Sequence, residues 1–139
     1  MEKKKYEKTA NLAAEFYVAS LLYRLGYIAT LTLGHTKNVD ILVVNNKGET
    51  ITIDVKGLKS TTTFPVTPKV ARKTHFFVLV SFKNKMEDLS MLPDVFVIPS
   101  LEIKKLLKKW SGQPVTSVDY RDIKDGKYKN AWSLLGITA

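Results

Sequence analysis

Hydrophobic and polar residues alternate with a period of two along residues 38–44 and again along 50–56, and the link between them carries Asn45, Asn46, Lys47 and Gly48. Period-two alternation broken by Asn and Gly predicts a β-hairpin. A three-residue loop, Asn46-Lys47-Gly48, with Gly48 left-handed to close a type I turn and bulge, makes Asn45 face Glu49. Val39, Ile41 and Val43 then face Val55, Ile53 and Ile51, and Asp40 falls opposite Asp54. A two-residue loop would shift the pairing by one and send the aspartates to opposite faces. The apolar matching favours the first register.

Residues 6–25 carry a helical pattern rich in Ala and Leu that stops at Gly26, as a helix C-terminus should. Leu12, Phe16, Ala19, Leu22 and Tyr23 form one stripe at helical spacing and are expected to face the core. Glu15 falls inside that stripe. Residues 27–33 read as a first strand and 34–38 as a polar loop. Residues 58–74 lack periodicity and hold Ser60-Thr61-Thr62-Thr63 with Lys69, Arg72 and Lys73. Connections this long are usually functional or disordered, and a short helix over 68–73 is the alternative reading. Residues 76–82 are apolar on both faces, which predicts a central strand. A charged loop, a strand over 94–98 closed by Pro99, and a helix from an N-capping Ser100 through Trp110 follow. That helix is expected to bury Ile103, Leu106, Leu107 and Trp110 and to expose Lys104, Lys105, Lys108 and Lys109, as a phosphate-tracking face or an ordinary solvated one. Residues 115–120 allow a last strand, and residues 127–135 a turn docking Trp132 and Leu135. There is no internal repeat and no linker.

The fold class expected is therefore α/β, in one domain over residues 1–139. Hydrophobic content of 45% with 25% charged residues supports a folded, globular chain over a disordered one. A net charge of +9 points to a polyanionic partner, most naturally nucleic acid, against the blander option of a basic but non-binding surface. With no cysteine there is neither a disulfide framework nor a thiolate metal site. Residues 1–8 are polar, three of the lysines forming a basic tail, so no signal peptide is expected. The longest apolar run, 76–82, is too short to cross a bilayer. A cytoplasmic protein without a membrane partner is the expectation.

The hairpin register has an electrostatic consequence. Cross-strand neighbours on one face lie only about 5 Å apart at Cβ, so Asp40 and Asp54 repel. Lys56 emerges on the same face as Asp54. Two carboxylates and an ammonium on an apolar ribbon do little for stability, but hard oxygen donors suit a divalent cation such as Mg²⁺. A carboxylate on a core-facing stripe is costly unless paired. Glu15 is then either a boundary residue reaching water or a third oxygen donor for the hairpin acids. His35, in the polar loop, is placed to contact a scissile group or DNA, though a lone loop histidine is more often a bystander.

A helix with Glu15, a strand, Asp40, and then Asp54-x-Lys56 resembles the PD-(D/E)xK nuclease superfamily, which has the restriction-endonuclease-like fold. The spacings, 25 residues from Glu15 to Asp40 and 14 from Asp40 to Asp54, are similar to those of archaeal Holliday-junction resolvases. Tyr128, Asn130 and Trp132 match a closing Tyr-x-Asn-x-Trp segment of small uncharacterised nuclease-like proteins in that superfamily. The resemblance covers most of residues 15–99 and runs more loosely beyond them. Val39 stands where the motif often has proline, and Asp54 where glutamate is commoner. The resemblance implies a central mixed sheet of four to five strands flanked by helices. It also implies Asp40, Asp54 and the carbonyl of Val55 as ligands of Mg²⁺ or Mn²⁺. Glu15 would complete or orient the site, and Lys56 would position or help deprotonate the attacking water. Nucleic-acid contacts are expected at His35, Lys37, Asn38, Lys59, Arg72 and Lys73. The implied activity is a metal-dependent endonuclease acting on DNA, branched or mobile-element DNA included, and such enzymes often work as homodimers. A nucleic-acid-binding module that keeps the fold without cutting is the alternative. A basic structural or ribosome-associated protein is the blandest.

Overall fold

The computed structural model describes residues 2–33 and 39–136, with side chains in the first helix from Thr9 onward. Helix α1 (Glu2–Arg24) begins within the segment expected as a tail. It ends where Gly26 turns left-handed at φ 93°, and the Tyr27 N–H returns to the Leu22 carbonyl at 3.0 Å. Strands β1 (Ala29–Leu31), β2 (Ile41–Val44), β3 (Thr50–Leu58), β4 (Thr63–Pro65), β5 (His75–Ser81) and β6 (Asp94–Pro99) follow. A 3₁₀ turn (Ile103–Leu106), β7 (Leu107–Lys108), β8 (Ser117–Asp119), the one-turn helix α2 (Tyr120–Ile123) and a second 3₁₀ turn (Trp132–Leu135) complete the order. The main sheet runs β1-β2-β3-β5-β6, and β4-β8-β7 form a small second sheet. The main sheet is mixed, because β3 and β5 are parallel and its other pairs antiparallel. Among the described residues no helix is long and apolar enough to cross a membrane.

The hairpin has the register expected from its pattern. Ile41 pairs with Ile53 and Val43 with Ile51. Gly48 is left-handed at φ 78°, its N–H bonds the Asn45 carbonyl at 3.0 Å, and the Asn45 N–H bonds the Glu49 carbonyl at 2.9 Å. The Asn45 side chain adds a brace, accepting the N–H groups of Lys47 and Glu49 through Oδ1.

The main sheet is covered on both faces. Ala10, Ala14, Val18 and Leu22 of α1 pack with Ile53, Val55 and Val78, while Phe77, Leu79, Phe96 and Ile98 pack with Phe64, Ile103 and Val118 on the opposite side. All of β5 is buried, as a central strand requires. The second cover is the small sheet together with Tyr120 and Ile123 of α2, so the five-stranded mixed sheet carries α1 on one face and the short α2 with the small sheet on the other.

Three further expectations change. The buried face of α1 includes Ala19 and Leu22, but Leu12, Phe16 and Tyr23 are exposed, Phe16 by 55%. The cause is close approach. A Cβ on Gly57 would lie 2.1 Å from the Ala10 carbonyl oxygen and 2.9 Å from the Ala14 Cβ, so the helix crosses this glycine on Ala10 and Ala14, and the face continuing from them through Val18 and Leu22 is the buried one. The helix expected from Ser100 to Trp110 is a single 3₁₀ turn, because Leu107 and Lys108 pair with Val118 and Ser117 instead. Of the expected stripe only Ile103 is buried, and Trp110 is exposed. Ser100 caps no helix there, since its hydroxyl bonds the Arg72 backbone at both N–H and carbonyl. Finally, the segment 58–74 carries β4 and buries Phe64 and Val66, and no helix forms over 68–73. Leu135 is buried and Trp132 packs beside it, as the closing turn predicted.

Candidate functional site

The site lies where β2 leaves β3. The ladder stops at Ile41, one residue short of setting Asp40 opposite Asp54. Asp40 stays in place by other means. Its N–H bonds the Ile53 carbonyl at 3.0 Å, and its Oδ2 accepts the Val55 N–H at 2.8 Å, where a neighbouring strand's carbonyl would otherwise stand. Thr32 steadies the same turn, with its N–H on the Asp40 carbonyl and its hydroxyl on the Val39 carbonyl at 2.6 Å. A strand residue directs its N–H and C=O to the same side, so the Val55 carbonyl also faces the edge that β2 has left.

Both carboxylates line one cavity of about 220 Å³, together with Val55, Lys56, Val66, Lys69 and Phe77. Asp54 is only 9% exposed. Its Oδ2 accepts from the Lys69 ammonium and from His75 Nε2 at 3.2 Å. His75 is itself held by Thr52, whose hydroxyl lies 2.6 Å from Nδ1, and its ring stands edge-on to Phe77. This arrangement suits the tautomer protonated at Nε2. Lys69 also borders a cavity of about 550 Å³ with Val39, Thr52, Arg72 and His75. Lys56 opens on the other side into one of about 730 Å³, lined by Asn11, Lys59, Ser60, Thr62 and Asn84. Lys69 lines the first and second of these cavities and Lys56 the first and third, so the three succeed one another past the two aspartates as a trough.

Electrostatics tie Glu15 to this group. Burial raises its pKa first, the charge of Asp40 raises it further, and Lys56 opposes both. Burial likewise raises the pKa of Asp40. The Val55 N–H counteracts it, Asp54 adds to it, and Lys69 and Lys56 lower it. Of the residues expected to converge, Asp40, Asp54, Val55 and Lys56 share a cavity, whereas Glu15, half-buried on α1, does not line it and is linked to it through the charges of Asp40 and Lys56. Lys59 and Arg72 line the flanking cavities. Lys73 is exposed on the segment before β5. His35, Lys37 and Asn38 lie outside the described residues. Two of the lysines expected as a basic face are paired, Lys105 with Glu102 at 3.2 Å and Lys108 with Asp122 at 2.7 Å.

Sequence reasoning did not single out Lys69 or His75 as partners of Asp54. Their place depends on the parallel β3–β5 register, which sets Thr52 beside His75 and Asp54 beside Phe77. No local pattern encodes such a pairing.

The donor chemistry fits a hard divalent cation: two carboxylates and a backbone carbonyl at one open strand edge. The present geometry stops short of a ligand cluster. Among the described residues no three His, Cys, Asp or Glu side chains come close enough together to hold a metal ion, and Asp54 carries Lys69 where a cation would bind. No protein-family model, curated protein or solved structure matches this chain. The likeness to the PD-(D/E)xK pattern thus rests on the chain's own residues.

Asp40 supplies a stability test. A carboxyl whose folded pKa is raised contributes stability below its unfolded value and loses that contribution as pH rises through the folded value. Asp40→Asn keeps an oxygen for the Val55 N–H and removes the ionisation. It should melt a few degrees above the parent near neutral pH, with the gap closing as pH falls toward the ordinary value of 3.8. Melting curves across that range check this, and a gap independent of pH would contradict it.

Proposed function

We propose that this chain is a metal-dependent endonuclease of the PD-(D/E)xK kind, with a restriction-endonuclease-like fold, hydrolysing phosphodiester bonds in DNA. One observation carries the reading: Asp40, Asp54 and Lys56 open into a single cavity at the strand edge where β2 ends. The electrostatic coupling of Glu15 to Asp40 and Lys56 supports it, and so does the net charge of +9.

Asp40, Asp54 and the Val55 carbonyl would hold Mg²⁺ or Mn²⁺, with Glu15 to orient a bound water. The cation, when bound, supplies Lewis-acid stabilisation and a more acidic water. Lys56 contributes a compact, strongly hydrated charge beside the carboxylates. From there its ammonium holds the attacking water and offsets charge growing on the phosphoryl oxygens. The trough carries the strand to either side, with Lys59 and the hydroxyls of Ser60 and Thr62 on one flank and Arg72 on the other.

The decisive assay is a cleavage panel of linear, supercoiled and four-way-junction DNA with and without Mg²⁺. Metal-dependent cutting of any member supports the reading, and intact DNA throughout would refute it. The flanks make a separate prediction. Lys59→Ala with Arg72→Ala should weaken DNA binding regardless of sequence and lower the slope of log affinity against log salt by about two. Filter binding across a salt series reads this directly, and an unchanged slope would remove both residues from the interface.

A second reading has its own support. Asp54 is bonded to Lys69 and His75, as it would be in a module that binds nucleic acid without cutting. The same panel separates the two, since such a module binds every DNA tested and cleaves none.

A further inference from the structure

Lys69 belongs to the segment joining β4 to β5, and that segment is tied down at both ends. At Val66 the N–H bonds the Thr116 carbonyl at 3.0 Å, and the Thr116 hydroxyl bonds the Val66 carbonyl at 2.7 Å. At Arg72 the Ser100 hydroxyl accepts the N–H at 2.9 Å and donates to the carbonyl at 2.7 Å. Between these anchors Val70 points to solvent, 77% exposed, and Lys69 turns inward onto Asp54 Oδ2.

Asp54 needs a positive neighbour. It is nearly buried and shares its cavity with a second carboxylate, Asp40, whose pKa its charge raises. His75, held by Thr52, gives Oδ2 a fixed hydrogen bond from within the sheet. Lys69 differs in kind. It arrives on a flexible stem from a surface segment, its side chain is 26% exposed, and it borders both the carboxylate cavity and the adjoining part of the trough. An ammonium and a divalent cation cannot both hold one carboxylate oxygen without strong repulsion. The displaced lysine has the trough within reach, and phosphate is the partner that its charge prefers there.

We propose that Lys69 is a stand-in cation for Asp54: it compensates the carboxylate until a divalent ion binds, and is then handed over to a nucleic-acid phosphate in the trough. This rests on the nuclease reading and adds to it a residue that couples metal loading to substrate contact.

The test measures Mn²⁺ binding by calorimetry for the parent, Lys69→Met and Lys69→Arg. Lys69→Met keeps the stem without the charge and should bind Mn²⁺ about tenfold tighter, the scale of one charge at contact distance. Lys69→Arg should bind like the parent. DNA affinity is then compared in a Lys56→Ala background, with and without Mg²⁺. Adding Lys69→Met should weaken DNA binding several-fold with Mg²⁺ and little without it. Mn²⁺ binding by the parent that Lys69→Met does not tighten would overturn the proposal and leave the nuclease reading standing. So would a loss of DNA affinity that is equal with and without Mg²⁺. If neither the parent nor Lys69→Met binds Mn²⁺, both fall together.

Discussion

Lys56→Ala should lower Mg²⁺-dependent DNA cleavage by about a hundredfold to a thousandfold, the usual cost of losing one group that stabilises transition-state charge. Its effect on folding should be small, because Lys56 sits at the mouth of two cavities rather than in the core. The ammonium lowers the pKa of both Glu15 and Asp40, so its charge reaches the carboxylates that would hold the cation. Removing it takes a like charge away from that cation. Metal affinity should therefore be kept or tightened while turnover collapses. That split separates a residue acting on the phosphoryl group from one that merely supports the site. Single-turnover cleavage and Mn²⁺ titration of the same preparation read both sides. A variant that cuts like the parent, or that loses metal and turnover together, would show that Lys56 does something else.

Gly57→Ala should be the most damaging single methyl in the chain. The added Cβ would lie 2.1 Å from the Ala10 carbonyl oxygen, 2.6 Å from its carbon and 2.9 Å from the Ala14 Cβ. Two of those atoms are helix backbone, so no side-chain rotation relieves the clash, and α1 must retreat. The Gly57 N–H also donates to Asn11 Oδ1 at 2.9 Å, a bond that fixes the height of the helix over the sheet. Overpacking of this kind costs about 3 kcal/mol or more, a drop in melting temperature on the order of 10 °C. Because Glu15 rides on the same helix, the variant should also lose part of any stabilisation by Mg²⁺. Gly126→Ala is the control. Its Cβ would meet only the Ile123 carbonyl oxygen at 3.7 Å, an ordinary contact, and it should melt with the parent. Equal melting of all three proteins would mean that the helix is not held where the close approach places it.

The contrast between these two residues shows what is local and what is not. Lys56 follows from the hairpin alone. A strand has a side-chain period of two, Gly48 supplies the left-handed turn, and matching Ile41 to Ile53 leaves one register that keeps the apolar side chains together. That register carries Asp54 and Lys56 and delivers Asp40 to the end of the ladder, which is why these three residues are legible in the sequence as neighbours.

Gly57 is the opposite case. Nothing in residues 6–25 says which stripe of α1 is buried, since Leu12, Phe16 and Tyr23 compete with Ala10, Ala14 and Val18 at the same helical spacing. A glycine in a strand more than thirty residues away, Gly57, decides between them by bringing the helix so close that only Ala10 and Ala14 fit over it. The segment from Ser100 to Trp110 fails for a related reason. Its helical periodicity is genuine, but Val118 and Ser117 offer strand pairing to Leu107 and Lys108, and Arg72 takes the Ser100 hydroxyl that would have capped a helix.

By itself, then, the sequence determined the hairpin, its register and the three charged residues mounted on it, because those rest on contacts a few residues apart along the chain. The tertiary structure alone decided that α1 crosses Gly57 on Ala10 and Ala14, that Asp40 braces Val55 after the ladder ends, and that Lys69 and His75 meet on Asp54. Each of those depends on segments distant in the chain meeting at atomic range, through parallel pairing and steric fit that leave no periodic trace in the sequence.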